Sequence, residues 1–135
     1  MSPIFTPCTA PPWGELAAID LGGDTSTAWR FTLGTLKNLM PVPIPLEFGT
    51  PLAGGPTVTA GGLVFIGASA DEKFRAFDID TGAKLWETDT PAPAMATPMT
   101  YSVGGRQFVV VAAGGHIFKG FSNISDYLVA YSLPD

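Results

Sequence analysis

The stretch Ala76-Phe77-Asp78-Ile79-Asp80-Thr81-Gly82-Ala83-Lys84-Leu85-Trp86 decides the architecture of this 135-residue chain. Phe74-Arg75-Ala76-Phe77-Asp78-Ile79 has the aromatic, alternating composition of a strand, and a second strand ends at Trp86. The same frame appears earlier, where Ala18-Ile19-Asp20 precedes Trp29. The two alanines stand 58 residues apart and the two tryptophans 57. A third, partial copy is Ala130-Tyr131-Ser132. The strand pair ahead of each frame also recurs. Pro56-Thr57-Val58-Thr59 leads through Gly61-Gly62 to Leu63-Val64-Phe65-Ile66, and Pro98-Met99-Thr100-Tyr101 leads through Gly104-Gly105 to Phe108-Val109-Val110. The paired glycines predict hairpin turns between these strands.

Each unit therefore reads as four strands: apolar, apolar, Ala-x-Asp, then a strand that ends in Trp. Strand signals outweigh helix signals throughout, so the chain is predicted to be all-β. Four-stranded antiparallel sheets repeated along a chain are the blades of a β-propeller. A blade cannot bury both of its faces alone, and a Trp near its outer strand fills the gap to the next blade. The predicted organisation is a half blade at about 15–33, a full blade at about 53–90 and a three-stranded part blade at about 95–133. Between the first two, prolines at 41, 43 and 45 forbid a helix or a central strand, which leaves a Pro-rich arm at about 36–48. Two to three blades do not close a ring. The end blades would show apolar faces and unpaired edges, to be covered by missing blades or by a second copy of the chain.

Composition narrows the function. Seven Lys and Arg against twelve Asp and Glu give a net charge of −5, which is no footprint for nucleic acid. One Cys and one His exclude an internal disulfide framework, a cysteine-rich zinc site and any metal site that needs two histidines. The uncharged run 48–70 is too rich in Gly and Pro for a membrane-spanning helix. Met1-Ser2-Pro3-Ile4 has neither the basic nor the apolar segment of a signal peptide, and the compartment stays open on the sequence.

The run from Ala76 to Trp86 resembles the tryptophan-docking motif of pyrroloquinoline-quinone (PQQ) dehydrogenases, Ala-x-Asp-x-x-Thr-Gly-x-x-x-Trp, at all five signature positions. The first copy departs from it, being one residue longer, with Gly23-Asp24 in place of Thr-Gly. Pro7–Gly14, Gly54-Gly55-Pro56, Thr97–Tyr101, Gly114-Gly115-His116 and Asp126–Pro134 are similar to the membrane-bound glucose/quinate branch. The resemblance implies the C-terminal portion of a periplasmic, eight-bladed propeller, anchored by N-terminal helices, that oxidises an aldose such as glucose to its lactone and passes electrons to ubiquinone. It also implies that calcium or magnesium, the catalytic base and the quinone-stacking residues come mainly from the missing blades. No catalytic residue and no metal ligand is then expected within this chain, and residues 1–135 alone should not turn over.

Two side chains are implied on the cofactor side. Asp71, in Ser69-Ala70-Asp71-Glu72-Lys73, reads by itself as a polar turn residue; the resemblance places it at the quinone pocket, where a carboxylate orients a lysine from another blade and tunes the quinone. Glu72 is the adjacent candidate. His116, after Gly114-Gly115, reads by itself as a solvated loop residue; the resemblance puts a polar donor there at the pocket mouth, with an influence on substrate preference. Asp20 and Asp78 share one repeat position and read as turn residues, while Trp29 and Trp86 read as blade packing. Cys8 lacks a partner and a base, and Asp24-Thr25-Ser26-Thr27 lacks a phosphate-loop pattern. Two alternatives stand beside the glucose reading: a quinate or polyol dehydrogenase of the same branch, and a non-enzymatic propeller scaffold that binds proteins.

Overall fold

The computed structural model describes residues 7–37, 46–115 and 123–133. These residues form strands and no helix. Strands β1 (Glu15–Ile19) and β2 (Thr27–Thr32) pair in a two-stranded sheet. Strands β3 (Thr57–Val58), β4 (Leu63–Ile66), β5 (Lys73–Asp78) and β6 (Lys84–Asp89) form a four-stranded sheet in that order. Strands β7 (Met99–Val103), β8 (Arg106–Ala113) and β9 (Tyr127–Ser132) form a three-stranded one. All pairings are antiparallel. The architecture is a partial β-propeller. Prolines 41, 43 and 45 and His116 lie outside the described residues; the ends of the segment that carries the prolines are joined by Leu36 N–H donating to the Leu46 carbonyl at 3.2 Å.

The turns follow from local chemistry. Gly104 and Gly105 have φ of 59° and 78°, so both central residues of the two-residue hairpin between Val103 and Arg106 are left-handed, as the strand twist requires. Asp20 and Asp78 close the turns after β1 and β5. Asp20 Oδ1 accepts the Gly22 N–H at 2.8 Å, and Asp78 Oδ1 accepts the Thr81 N–H and Thr81 hydroxyl, each at 2.8 Å. Both aspartates therefore satisfy backbone donors in turns.

The four-stranded sheet is buried on both faces because its strands carry apolar side chains on alternate sides. Val64, Ile66 and Phe77 pack against Leu16, Trp29 and Phe31 of the first sheet and Leu33 just beyond it, with the Phe31 and Phe77 rings 4.7 Å apart, edge to face. On the other side Phe65 and Phe74 meet Val109, Val111, Ala113, Val129 and Tyr131 of the third sheet. The third sheet's outward face, by contrast, leaves Met99, Tyr101, Val103 and Leu128 exposed.

The repeat seen in the sequence is kept in the register. Ala18 lies directly opposite Trp29, and Ala76 directly opposite Trp86. A bulge follows each pair, which leaves Ala28 in the first sheet and Leu85 in the second without an opposite residue. The extra residue of the first copy is therefore absorbed in the turn at 20–26, and the tryptophan keeps its place. The small alanine leaves room for the indole. Trp29 donates its indole N–H to the Ile79 carbonyl of the next sheet at 2.8 Å. Trp86 packs edge to face on Tyr131 of the third sheet with ring centroids 5.2 Å apart.

Candidate functional site

The antiparallel order places the connections β2–β3, β4–β5, β6–β7 and β8–β9 at one end of the three sheets, with the short turns at the other. Backbone hydrogen bonds tie these connections together. Ala68 N–H donates to the Ala94 carbonyl at 2.8 Å, Thr90 N–H to the Glu72 carbonyl at 2.9 Å and Gly115 N–H to the Pro93 carbonyl at 3.0 Å. The loop from Gly67 to Glu72 lies in the middle. It is buried from Gly67 to Asp71, which is unusual for a connection between strands. Ala68 and Glu72, at its two ends, have φ of 57° and 58°. Neither is glycine, and such backbone persists only where the surroundings hold it.

Asp71 is what the surroundings hold. It is 2% exposed, as is Arg75 on β5. Arg75 Nη2 donates to Asp71 Oδ2 at 2.5 Å and Nη1 to Oδ1 at 3.2 Å, a bidentate pair. Ser69 Oγ donates to Oδ1 at 2.6 Å and accepts from Arg75 Nη1 at 3.1 Å. The Thr35 N–H, just beyond β2, donates to Oδ2 at 3.1 Å. Two donors on each oxygen use the four acceptor directions of a carboxylate. The remaining side of the guanidinium is fixed as well, since Nε donates to Glu87 Oε2 at 2.9 Å. Nearby, Thr50 Oγ1 accepts the Ala70 N–H at 3.1 Å. Among the described residues no buried side-chain nitrogen or oxygen lacks a partner.

Glu87 carries the network to the surface. Its burial works against the charged form, but hydrogen bonding to Lys84 and the charges of Arg75 and Lys84 outweigh this and hold its carboxyl below the usual range. Lys84 Nζ lies 3.0 Å from Glu87 Oε2. Lys73, 2.5 Å from Asp89, is raised above its ordinary value, chiefly by that hydrogen bond.

The polar turn that the bare sequence suggests for Asp71 is a buried ion pair in the structure, because Arg75 points to the face of β5 that packs on the first sheet. Glu72 stays half-buried and receives the Asn123 side-chain amide at 3.4 Å. The structure joins Asp71 to Gly115 through Glu72, Thr90 and Pro93. Cys8 is exposed. In an exposed turn the Asp24 carboxyl is held low by hydrogen bonding from the Ser26 side chain first and from the Ser26 N–H, which Oδ1 accepts at 3.1 Å, second. Arg75, Ser69 and Thr35 escape a sequence reading centred on Asp71. The available signal was an arginine four residues after Asp71 within an otherwise apolar strand.

Antiparallel sheets of two, four and three strands stacked face to face, with Trp29 of the first and Trp86 of the second each packed on the next, have the architecture of a β-propeller. The chain belongs to the PQQ-dependent propeller family: residues 1–109 match the family described as "PQQ: Glucose/ethanol/alcohol dehydrogenase, beta-propeller domain". It is 45% identical over 139 residues to the quinoprotein glucose dehydrogenase of Escherichia coli (strain K12), covering 100% of this chain and 17% of that protein. It is 43% identical to the glycerol dehydrogenase large subunit of Gluconobacter thailandicus, over 95% of this chain and 18% of that one. A probable quinate dehydrogenase (quinone) of Xanthomonas campestris pv. juglandis is 42% identical, over 100% of this chain and 18% of its own length. Among solved structures, the quinohemoprotein alcohol dehydrogenase ADHIIG of Pseudomonas putida superposes with a TM-score of 0.55 at 38% identity. That match covers 74% of this chain and 12% of the larger one. The chain thus spans less than one fifth of the length of the curated relatives it matches.

The described residues suit PQQ as supporting structure. PQQ carries three carboxylates and asks for cationic or N–H donors, yet the buried cation here, Arg75, is committed to Asp71, Ser69 and Glu87. Among the described residues there is also no cluster of three or more His, Cys, Asp or Glu able to hold a metal ion. What the chain offers is a firmly held loop end.

Proposed function

We propose that this chain is the C-terminal portion of a quinoprotein dehydrogenase that oxidises an aldose, glucose to gluconolactone, with PQQ as cofactor and ubiquinone as electron acceptor. The parent works at the periplasmic side of the inner membrane. The observation that carries this reading is the identity of 43–45%, over 98–100% of the chain, to three quinoprotein glucose dehydrogenases. PQQ supplies an ortho-quinone that accepts two electrons and a proton's equivalent of hydrogen from the substrate carbon. The base, most ligands of the calcium or magnesium ion and the groups that stack on the quinone belong to blades outside this chain.

Within the chain, Asp71 and His116 are the residues on the cofactor side. Asp71 contributes from the loop end where four connections meet; His116 follows Gly114-Gly115 in sequence and lies outside the described residues. A second reading, a quinate or polyol dehydrogenase, is favoured by the 42–43% identity to the quinate and glycerol enzymes, which lies close to the glucose figures. The test is dye reduction by the full-length, PQQ- and calcium-loaded enzyme, with glucose, quinate and glycerol offered in parallel. Turnover on glucose with at least tenfold preference in kcat/KM, about 1.4 kcal/mol of discrimination, is expected. Preference for quinate or glycerol would move the assignment to the second reading. Residues 1–135 alone are expected to give no glucose-dependent reduction.

A further inference from the structure

Asp71 has no acceptor direction left for an external ligand. Arg75 and Ser69 saturate Oδ1, and Arg75 and Thr35 saturate Oδ2. The arginine is equally committed, held on its other side by Glu87. The ion pair is also placed to control backbone: it sits beside Glu72, one of two non-glycine residues with left-handed φ that bound the loop. We infer that Arg75 and Asp71 form a positioning pair, which acts on the quinone by fixing the Gly67–Glu72 loop and not by contacting it. Ser69 is the third member. This rests on the quinoprotein reading above.

The physical reasoning distinguishes a pair from a ligand. A ligand carboxylate keeps its own effect whatever Arg75 becomes. A positioning pair loses its effect when either member is changed, and a second change then adds little. Lysine cannot replace Arg75, because one ammonium cannot span both Asp71 oxygens while also reaching Glu87.

The experiment uses the full-length enzyme and two readouts other than turnover: the Kd for PQQ by equilibrium dialysis, and the absorption maximum of the bound quinone. The variants are Asp71→Asn, Arg75→Lys, Ser69→Ala and the Asp71→Asn/Arg75→Lys double. Each of the first two is expected to raise Kd by roughly tenfold, with the double within about threefold of the weaker single. All three should move the absorption maximum in the same direction. Ser69→Ala, which leaves the ion pair in place, should shift both readouts the same way by a smaller amount; it keeps the inference testable if the charge variants do not fold. A Kd that rises in Asp71→Asn but is unchanged in Arg75→Lys, or single effects that add, overturns the pair and makes Asp71 a ligand. Unchanged readouts in every folded variant also overturn it. Failure of the unsubstituted enzyme to bind PQQ would remove the quinoprotein reading and this inference together, whereas the other outcomes leave that reading standing.

Discussion

Gly82 lies directly against the indole of Trp29: a Cβ built on the glycine would fall 2.5 Å from Cδ2 of the ring. The glycine also has φ of +70°. Both facts exclude a side chain, the first by contact and the second by backbone preference. Gly82→Ala is expected to destabilise the protein by about 3 kcal/mol, from left-handed strain and from displacing the indole. Gly61→Ala, at an exposed turn where the added carbon would meet the Thr59 hydroxyl oxygen at an ordinary contact distance of 3.9 Å, should stay within about 0.5 kcal/mol. Urea denaturation of the two variants checks the contrast.

The two repeat tryptophans should not be equivalent. Trp29 donates to Ile79 and packs in the core between two sheets, whereas Trp86 is 38% exposed. Trp29→Ala is expected to cost about 3–5 kcal/mol and Trp86→Ala only about 1–2 kcal/mol. Equal losses in the denaturation midpoint would contradict this ranking.

Breaking the buried pair should be expensive. Asp71→Asn sets an amide among donors, and Arg75→Met leaves a carboxylate without its counter-charge. Each is expected to lower stability by about 3–5 kcal/mol. Lys84→Ala removes only a surface ion pair to Glu87 and should cost less than about 1 kcal/mol. Thermal unfolding followed by circular dichroism separates the two classes.

Stability should fall at both ends of the pH scale, for opposite reasons. Glu87, Asp89 and Asp78 are held below their ordinary values of 4.5, 3.8 and 3.8. A depressed carboxyl stabilises the fold above its unfolded value, and that contribution is lost as the pH falls through the lower folded one. Lys73 is raised above its ordinary 10.5, so its contribution is present below that value and lost as the pH rises through the folded one. Urea midpoints measured across the acid range should decline below pH 4.5. In Lys73→Met the acid decline should be shallower, because the hydrogen bond that depresses Asp89 is gone.

The fold was legible because its signals are local and periodic. Short apolar runs closed by glycines mark the strands, and the spacing from Ala76 to Trp86 reproduces that from Ala18 to Trp29 closely enough to reveal the repeat. The one-residue mismatch was uninterpretable until the common bulge at Ala28 and Leu85 showed where it is absorbed. The candidate site was legible only in part. Asp71 reads by itself as a polar turn residue and is set on the cofactor side only by the resemblance, because its burial depends on how two sheets pack. Arg75 looked like an ordinary charged residue in a strand. Thr35 contributes a backbone N–H, which every residue but proline possesses and which leaves no mark in a sequence.

That backbone donor makes the first and second sheets one cooperative unit. The acceptor shell of the Asp71 carboxylate is complete only when the chain leaving β2 is docked, so the buried loop of the four-stranded sheet has its last hydrogen-bond donor only once its neighbour is in place. The amide of Thr35 should therefore exchange with solvent hydrogen only through the opening that also releases the strands of the second sheet, and not through independent fraying of the loop that contains it.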